Sequence, residues 1–107
     1  MTTIYHNPRC SKSRQTLALL DERGIEPDII EYLVTPPSIE ELANILAMLG
    51  LGPRDLLRKK DAKEAGLDDA ALIKAMVANP IVIERPIVIN NGKAALGRPP
   101  ESIAEIL

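Results

Sequence analysis

The sequence predicts an α/β fold: a mixed four-stranded sheet with helices on both sides, built as βαβ, a helical insertion, then ββα. Three observations carry this. The first third alternates a strand-like, a helical and a second strand-like stretch. The middle third repeats apolar residues at helical spacing behind helix-start signals. The last third sets two short strand-like runs on either side of Asn91-Gly92.

Thr3–His6 is the first strand, and Asn7-Pro8 after it is a turn signal. From about Cys10 the chain reads as helix, with Leu17 and Leu20 and their neighbours Ala18 and Leu19 facing inward. Gly24 stands where a glycine ends a helix. Asp28–Leu33 carries Ile29, Ile30, Tyr32 and Leu33 and reads as the second strand. Strand, helix and strand in that order imply a parallel pair joined by a right-handed crossover.

Ser38-Ile39-Glu40-Glu41 has the spacing of a capping box. Leu42, Ile45, Leu46 and Leu49 then recur at i, i+3, i+4 and i+7, which makes an amphipathic helix ended by Gly50. Gly52-Pro53 starts a further helix carrying Leu56 and Leu57. Asp68-Asp69 opens a third, with Leu72, Ile73, Met76 and Val77 on one side, closed by Asn79-Pro80. Lys59–Ala65 is polar and reads as a loop or a frayed helix.

Pro86–Ile89 is a β-branched run and Lys93–Leu96 its return strand. Asn91-Gly92 between them suits a type I′ turn, which needs positive φ at both central residues. Pro99-Pro100 leads into a final helix with Ile103, Ile106 and Leu107. The element order is the thioredoxin-like plan. One such domain over residues 1–107 is expected, with the helical insertion at about 38–79.

Composition narrows the function. The 107 residues are 46 % hydrophobic and 26 % charged, an ordinary globular balance. The net charge of −2 argues against a general nucleic-acid binder. Two Tyr, no Phe and no Trp leave no stacking platform for bases. No apolar run is longer than Ile45–Leu49, too short to span a bilayer. The first residues lack the pattern of a signal peptide. A lone cysteine cannot form an internal disulfide, so a reducing cytoplasm is the expected compartment.

Charge placement says more than its sum. Arg9, Lys12 and Arg14 precede the first acidic residue, Asp21. That stretch is +3, so the remainder carries −5 of the total −2. Its centre is Cys10, at the junction of first strand and first helix. Free N–H groups and the helix dipole favour a thiolate there, and basic neighbours act in the same direction. The alternative is a small buried hydrophobe.

Cys10-Ser11-Lys12-Ser13 is C-x-x-S, so the resolving position of a dithiol motif is a serine. With no second cysteine, redox turnover requires a thiol from outside. A C-x5-R oxyanion loop is absent too, because Thr16 occupies the arginine position. His6, the one histidine, can tune the thiolate or relay a proton, or be a strand-end histidine satisfied by backbone. One His and one Cys are too few for a metal site. Arg58, Arg85 and Arg98 offer planar guanidinium forks suited to an oxyanion. Spacing alone does not group them.

The stretch Ile4–Arg14, IYHNPRCSKSR, closely resembles the active-site segment of the glutaredoxin-coupled arsenate reductase family. Further matches follow in family order: Tyr32-Leu33 with Thr35-Pro36-Pro37, Leu56-Leu57-Arg58-Lys59, Asn79-Pro80-Ile81, Glu84-Arg85-Pro86-Ile87-Val88 and Gly97-Arg98-Pro99. The resemblance implies a thioredoxin-like fold and a Cys10–arsenate adduct resolved by glutathione and glutaredoxin. It places oxyanion-binding roles on Arg58, Arg85 and Arg98, a tuning role on His6, and a serine near the thiolate at Ser13. It implies a cis peptide at Arg85-Pro86. No bound cofactor, glutathione as cosubstrate and a monomer are expected. The stretch between Arg58 and Asp68 is shorter than the family pattern. Two rival readings use the same fold: a glutathione-dependent monothiol oxidoreductase, and a non-enzymatic regulator of the Spx type that binds RNA polymerase. The latter switches through C-x-x-C, which this chain lacks.

Overall fold

The computed structural model describes residues 2–58 and 66–107, so the polar stretch Lys59–Ala65 lies outside the described residues. The chain forms two compact units, Met1–Thr35 with Arg85–Leu107, and Pro36–Glu84.

The first unit holds a four-stranded sheet in the order β2-β1-β3-β4. β1 (Thr2–His6) pairs in parallel with β2 (Asp28–Glu31), setting Ile4 against Ile29 and His6 against Glu31. β1 also pairs antiparallel with β3 (Ile87–Asn90), and β3 with β4 (Lys93–Leu96). The sheet is therefore mixed, as the element order predicts. Asn91 and Gly92 both have positive φ, 52° and 78°, which is what the tight hairpin requires.

Helix α1 (Ser11–Glu22) makes the crossover from β1 to β2. Gly24 sits at φ 71° just past its end, and the Ile25 N–H reaches back to the Leu20 carbonyl. Ile4, Leu20, Val88 and Ile103 form a fully buried cluster joining the sheet, α1 and the C-terminal segment. Each such side chain contributes about 1.5–3 kcal/mol by leaving water.

Three sequence expectations need correction here. β2 ends at Glu31 rather than running to Leu33, because the Glu31 carbonyl accepts the N–H groups of both Val34 and Thr35 and turns the chain. The inward stripe of α1 is Ser13, Thr16 and Leu20; Leu17 and Leu19 are only half-buried and Ala18 is exposed. The final helix, Pro100–Ile106, is 3₁₀ rather than α. At three residues per turn Ile103 and Ile106 eclipse on one face. Asn90 fastens this helix, its Nδ2 donating to the Ile106 carbonyl at 2.7 Å while its Oδ1 accepts from Thr2.

The second unit is helical. α2 (Ile39–Leu49) opens with the predicted capping box: Glu41 N–H donates to Ser38 Oγ at 3.0 Å and Ser38 N–H to Glu41 Oε1 at 2.9 Å. Leu42, Ile45 and Leu46 are its buried stripe, and Gly50 ends it at φ 70°. α3 (Pro53–Leu56) is a single turn. α4 (Asp69–Ala78) starts from Asp68, whose carboxylate accepts the Ala71 N–H, and buries Leu72 and Met76. Arg54 joins the last two helices through Asp69 and the Leu67 carbonyl. A 3₁₀ turn, Pro80–Val82, then leads to Ile83, which bridges Leu57.

Candidate active site

The site is built where β1 gives way to α1. Cys10 is the N-cap of α1, with extended backbone, and its carbonyl takes the first helical hydrogen bond from Arg14 N–H. The approach is a tight corner. Cys10 N–H donates to the Asn7 carbonyl, and Arg9 N–H to Asn7 Oδ1, both at 3.0 Å. Arg14 Nη1 donates to the Pro8 carbonyl at 2.9 Å. Asn7 thus shapes the corner that Asn-Pro signals in the sequence, and Arg14 braces it from the helix.

Beneath the corner lies a buried polar pair. His6 Nδ1 and Ser13 Oγ are 2.6 Å apart, and Ser13 Oγ also accepts the Asn7 N–H at 3.0 Å. Both side chains are buried, Ser13 fully. Ser13 Oγ can donate its proton to a bare Nδ1 or accept from a protonated one, so the ring tautomer sets the direction of this bond. Burial is the main force holding the His6 pKa below its ordinary value; Arg14 adds to it and Glu31 opposes it. A neutral ring needs no counter-ion and does not compete with the thiolate for one.

Cys10 itself is 9 % exposed. Burial pushes its thiol up. The N–H groups of Ser13 and Lys12 at the helix start, together with the charge and hydrogen bonding of Arg85, outweigh that and bring the pKa below the ordinary thiol value. The sequence expected this direction from Arg9, Lys12, Arg14 and His6. Among the arginines, it is Arg85, remote in sequence, that acts on the sulfur.

Arg85 precedes β3 through a cis peptide to Pro86, and Arg98 follows β4 through a cis peptide to Pro99. Arg98 Nη1 donates to the Arg85 carbonyl at 3.3 Å. The first cis bond is the one the resemblance implies; the second was not expected. Gly97 precedes Arg98 for a steric reason: a Cβ there would overlap Thr16 Oγ1 and lie 2.7 Å from Pro86 Cγ. Gly97 N–H also donates to the Pro86 carbonyl at 2.9 Å. The glycine thus lets the end of β4 close on α1. Sequence reading missed this role of Gly97, and that of Thr16, whose hydroxyl donates to the Lys12 carbonyl.

His6, Cys10, Ser13, Arg85 and Arg98 all belong to the first unit. Arg58 belongs to the second, half-buried, where its N–H donates to the Val82 carbonyl at 2.8 Å and its Nη1 to the Ile81 carbonyl at 3.2 Å. Among the described residues no group of three or more His, Cys, Asp and Glu side chains is placed to hold a metal ion. No helix there is long and apolar enough to cross a membrane.

Comparison with known proteins identifies the family. Residues 5–106 match the model of the ArsC family. The chain is 51 % identical to the arsenate reductase of Neisseria meningitidis, over 97 % of this chain and 96 % of that one. It is 50 % identical to the Escherichia coli protein YfgD, over 97 % and 94 %. The solved structure of the arsenate reductase from Vibrio cholerae superposes with a TM-score of 0.94 at 52 % identity, covering 99 % of this chain and 97 % of that one. A match over almost the whole length, with a mixed four-stranded sheet of the thioredoxin-like type, places this chain in the ArsC family.

Proposed function

We propose that this protein is a cytoplasmic, monomeric arsenate reductase that borrows its second and third thiols from glutathione and glutaredoxin. The observation that carries the reading is Cys10: one thiol, stabilised as thiolate at a helix start and by the Arg85 guanidinium. Two relatives that share half of its residues bear the name arsenate reductase.

The chemistry balances around one cysteine. The Cys10 thiolate attacks As(V), an arsenate oxygen leaves as water after protonation, and a Cys10–S–As bond forms. Arg85 and Arg98, both in the first unit, hold the oxyanion. Glutathione thiolate then bonds to arsenic and displaces a second protonated oxygen as water. A glutaredoxin thiolate attacks the glutathione sulfur, the S–As bond breaks, and its electron pair reduces arsenic to As(III). One water hydrolyses the Cys10–S–As(III) bond, so that arsenite leaves and Cys10 returns as thiolate. The sum is arsenate plus two thiols giving arsenite, one disulfide and one water. His6 and Ser13 hold the corner and keep a neutral ring under the thiolate.

The test couples NADPH consumption to glutathione reductase, glutathione and glutaredoxin, with and without arsenate. Arsenate-dependent oxidation, lost in Cys10→Ser, is the expected result. Glutathione-disulfide exchange without arsenate dependence, in folded protein, replaces the reading with that of a monothiol oxidoreductase, which the lone thiol of C-x-x-S equally permits.

A further inference from the structure

Beside the Cys10 corner the first unit carries a groove of about 310 Å³. One wall is Asn7, Pro8 and Arg9; the other is Glu31, Leu33 and Val34, where β2 ends. His6, at the end of β1, also lines it. Its size is at the lower limit for small-ligand sites. Val34 is 79 % exposed and Leu33 37 %, an unusual position for two adjacent apolar side chains in a turn. Among the described residues, the exposed large hydrophobics of this unit are Ile29, Leu33 and Val34, all on or just after the edge strand β2.

The two walls carry opposite charges. Arg9 and Glu31 are exposed, and neither is held in an ion pair among the described residues. Between them Pro8, Leu33 and Val34 are apolar. A ligand that fits has a positive and a negative group separated by a short aliphatic chain. The groove also lies one residue from the nucleophile, since Arg9 is bonded to Cys10. A lone cysteine must be resolved by an external thiol. We propose that this groove is the subsite for a zwitterionic thiol peptide of the glutathione type. Its ammonium lies against Glu31, a carboxylate against Arg9 and its methylenes on Leu33 and Val34, with the thiol directed to Cys10. The inference rests on the reading above that an external thiol resolves a covalent Cys10 species, and it adds where that thiol binds.

The experiment uses a Cys10 mixed disulfide with thionitrobenzoate, so that it does not depend on arsenate. Attack by a thiolate forms a new disulfide on Cys10 and releases the thionitrobenzoate anion, whose absorbance reports the rate. Glutathione is compared with mercaptoethanol, which carries no charge besides its thiol. In the wild type the rate is expected to saturate with glutathione and to rise linearly with mercaptoethanol. Glu31→Gln and Arg9→Gln are each expected to lower the glutathione-to-mercaptoethanol rate ratio by about fivefold, the worth of one exposed charge pair. Mercaptoethanol rates stay unchanged. In parallel, the glutathione KM of arsenate reduction rises in both variants and the arsenate KM does not. A ratio unmoved in both variants overturns the subsite and leaves the reductase reading intact. Saturation with glutathione in a wild type that fails to reduce arsenate removes the reductase reading and supports the subsite.

Discussion

The Arg98 guanidinium donates to the carbonyl of Arg85 at 3.3 Å. The two arginines stand thirteen residues apart, each before a cis-proline, and this bond joins the start of β3 to the end of β4. Arg85 in turn acts on the Cys10 sulfur by charge and by hydrogen bond. Side chain, carbonyl and second guanidinium thus form a chain leading away from the nucleophile.

That chain sets a prediction for the thiolate. Its pKa is depressed, so alkylation of Cys10 stays fast at pH values where an ordinary thiol, near about 8.5, is largely protonated. Reactivity is lost as pH falls through the depressed value. Arg85→Gln moves the titration upward. The stability contribution follows the same sign: it grows as pH rises from the folded pKa to the unfolded one and is absent in Cys10→Ser. Iodoacetamide rates against pH, with urea melts at two pH values, check both statements. A wild-type titration at the ordinary thiol value contradicts them.

Lysine cannot replace either arginine of the pair. Arg85→Lys and Arg98→Lys keep the charge and lose the planar fork, one charge-assisted hydrogen bond of about 1.5–3 kcal/mol. The arsenate KM is expected to rise at least tenfold in each. Steady-state kinetics at saturating glutathione measures this, and an unchanged arsenate KM in both variants removes the oxyanion role.

Gly97→Ala tests the close approach of β4 to α1. The added methyl meets Thr16 and Pro86 side chains in a packed interior. Overpacking of this kind costs about 1–3 kcal/mol. Urea denaturation should show a lower midpoint at unchanged slope. Pairing it with Thr16→Ser, which removes one of the crowding atoms, should restore part of the loss.

His6 predicts an acid limb of stability. Its folded pKa lies below the unfolded value of about 6.5, so the unfolded chain binds the proton more readily. The contribution is complete above that value and falls as pH drops toward the folded pKa. Thermal melts between neutral and mildly acid pH should show the decline, and His6→Asn should flatten it. Ser13→Ala leaves the buried Asn7 N–H and the ring nitrogen without their shared partner, at a cost of about 1–3 kcal/mol.

Much of this was legible in the sequence. The capping box at Ser38, the Asn91-Gly92 hairpin and the glycine ends of α1 and α2 are local devices, each closed by hydrogen bonds within a few residues. Local chemistry specifies them without reference to the fold. The lone cysteine with serine in the resolving position rules out an internal dithiol cycle within this sequence, so the proposed redox turnover draws on an external thiol.

Tertiary packing decided the rest. α1 buries Ser13 and Thr16 because one meets His6 and the other meets Gly97, and a hydrophobicity pattern reads both as solvent-facing. β2 stops at Glu31 because an edge strand has a ladder on one side only, and its carbonyl turns to Val34 and Thr35 instead. Arg85 stabilises the thiolate from seventy-five residues away because β3 pairs with β1, which brings its start to the end where Cys10 stands. Residue type and local spacing determined what this chain can do chemically. The pairing of strands distant in sequence determined which side chains do it.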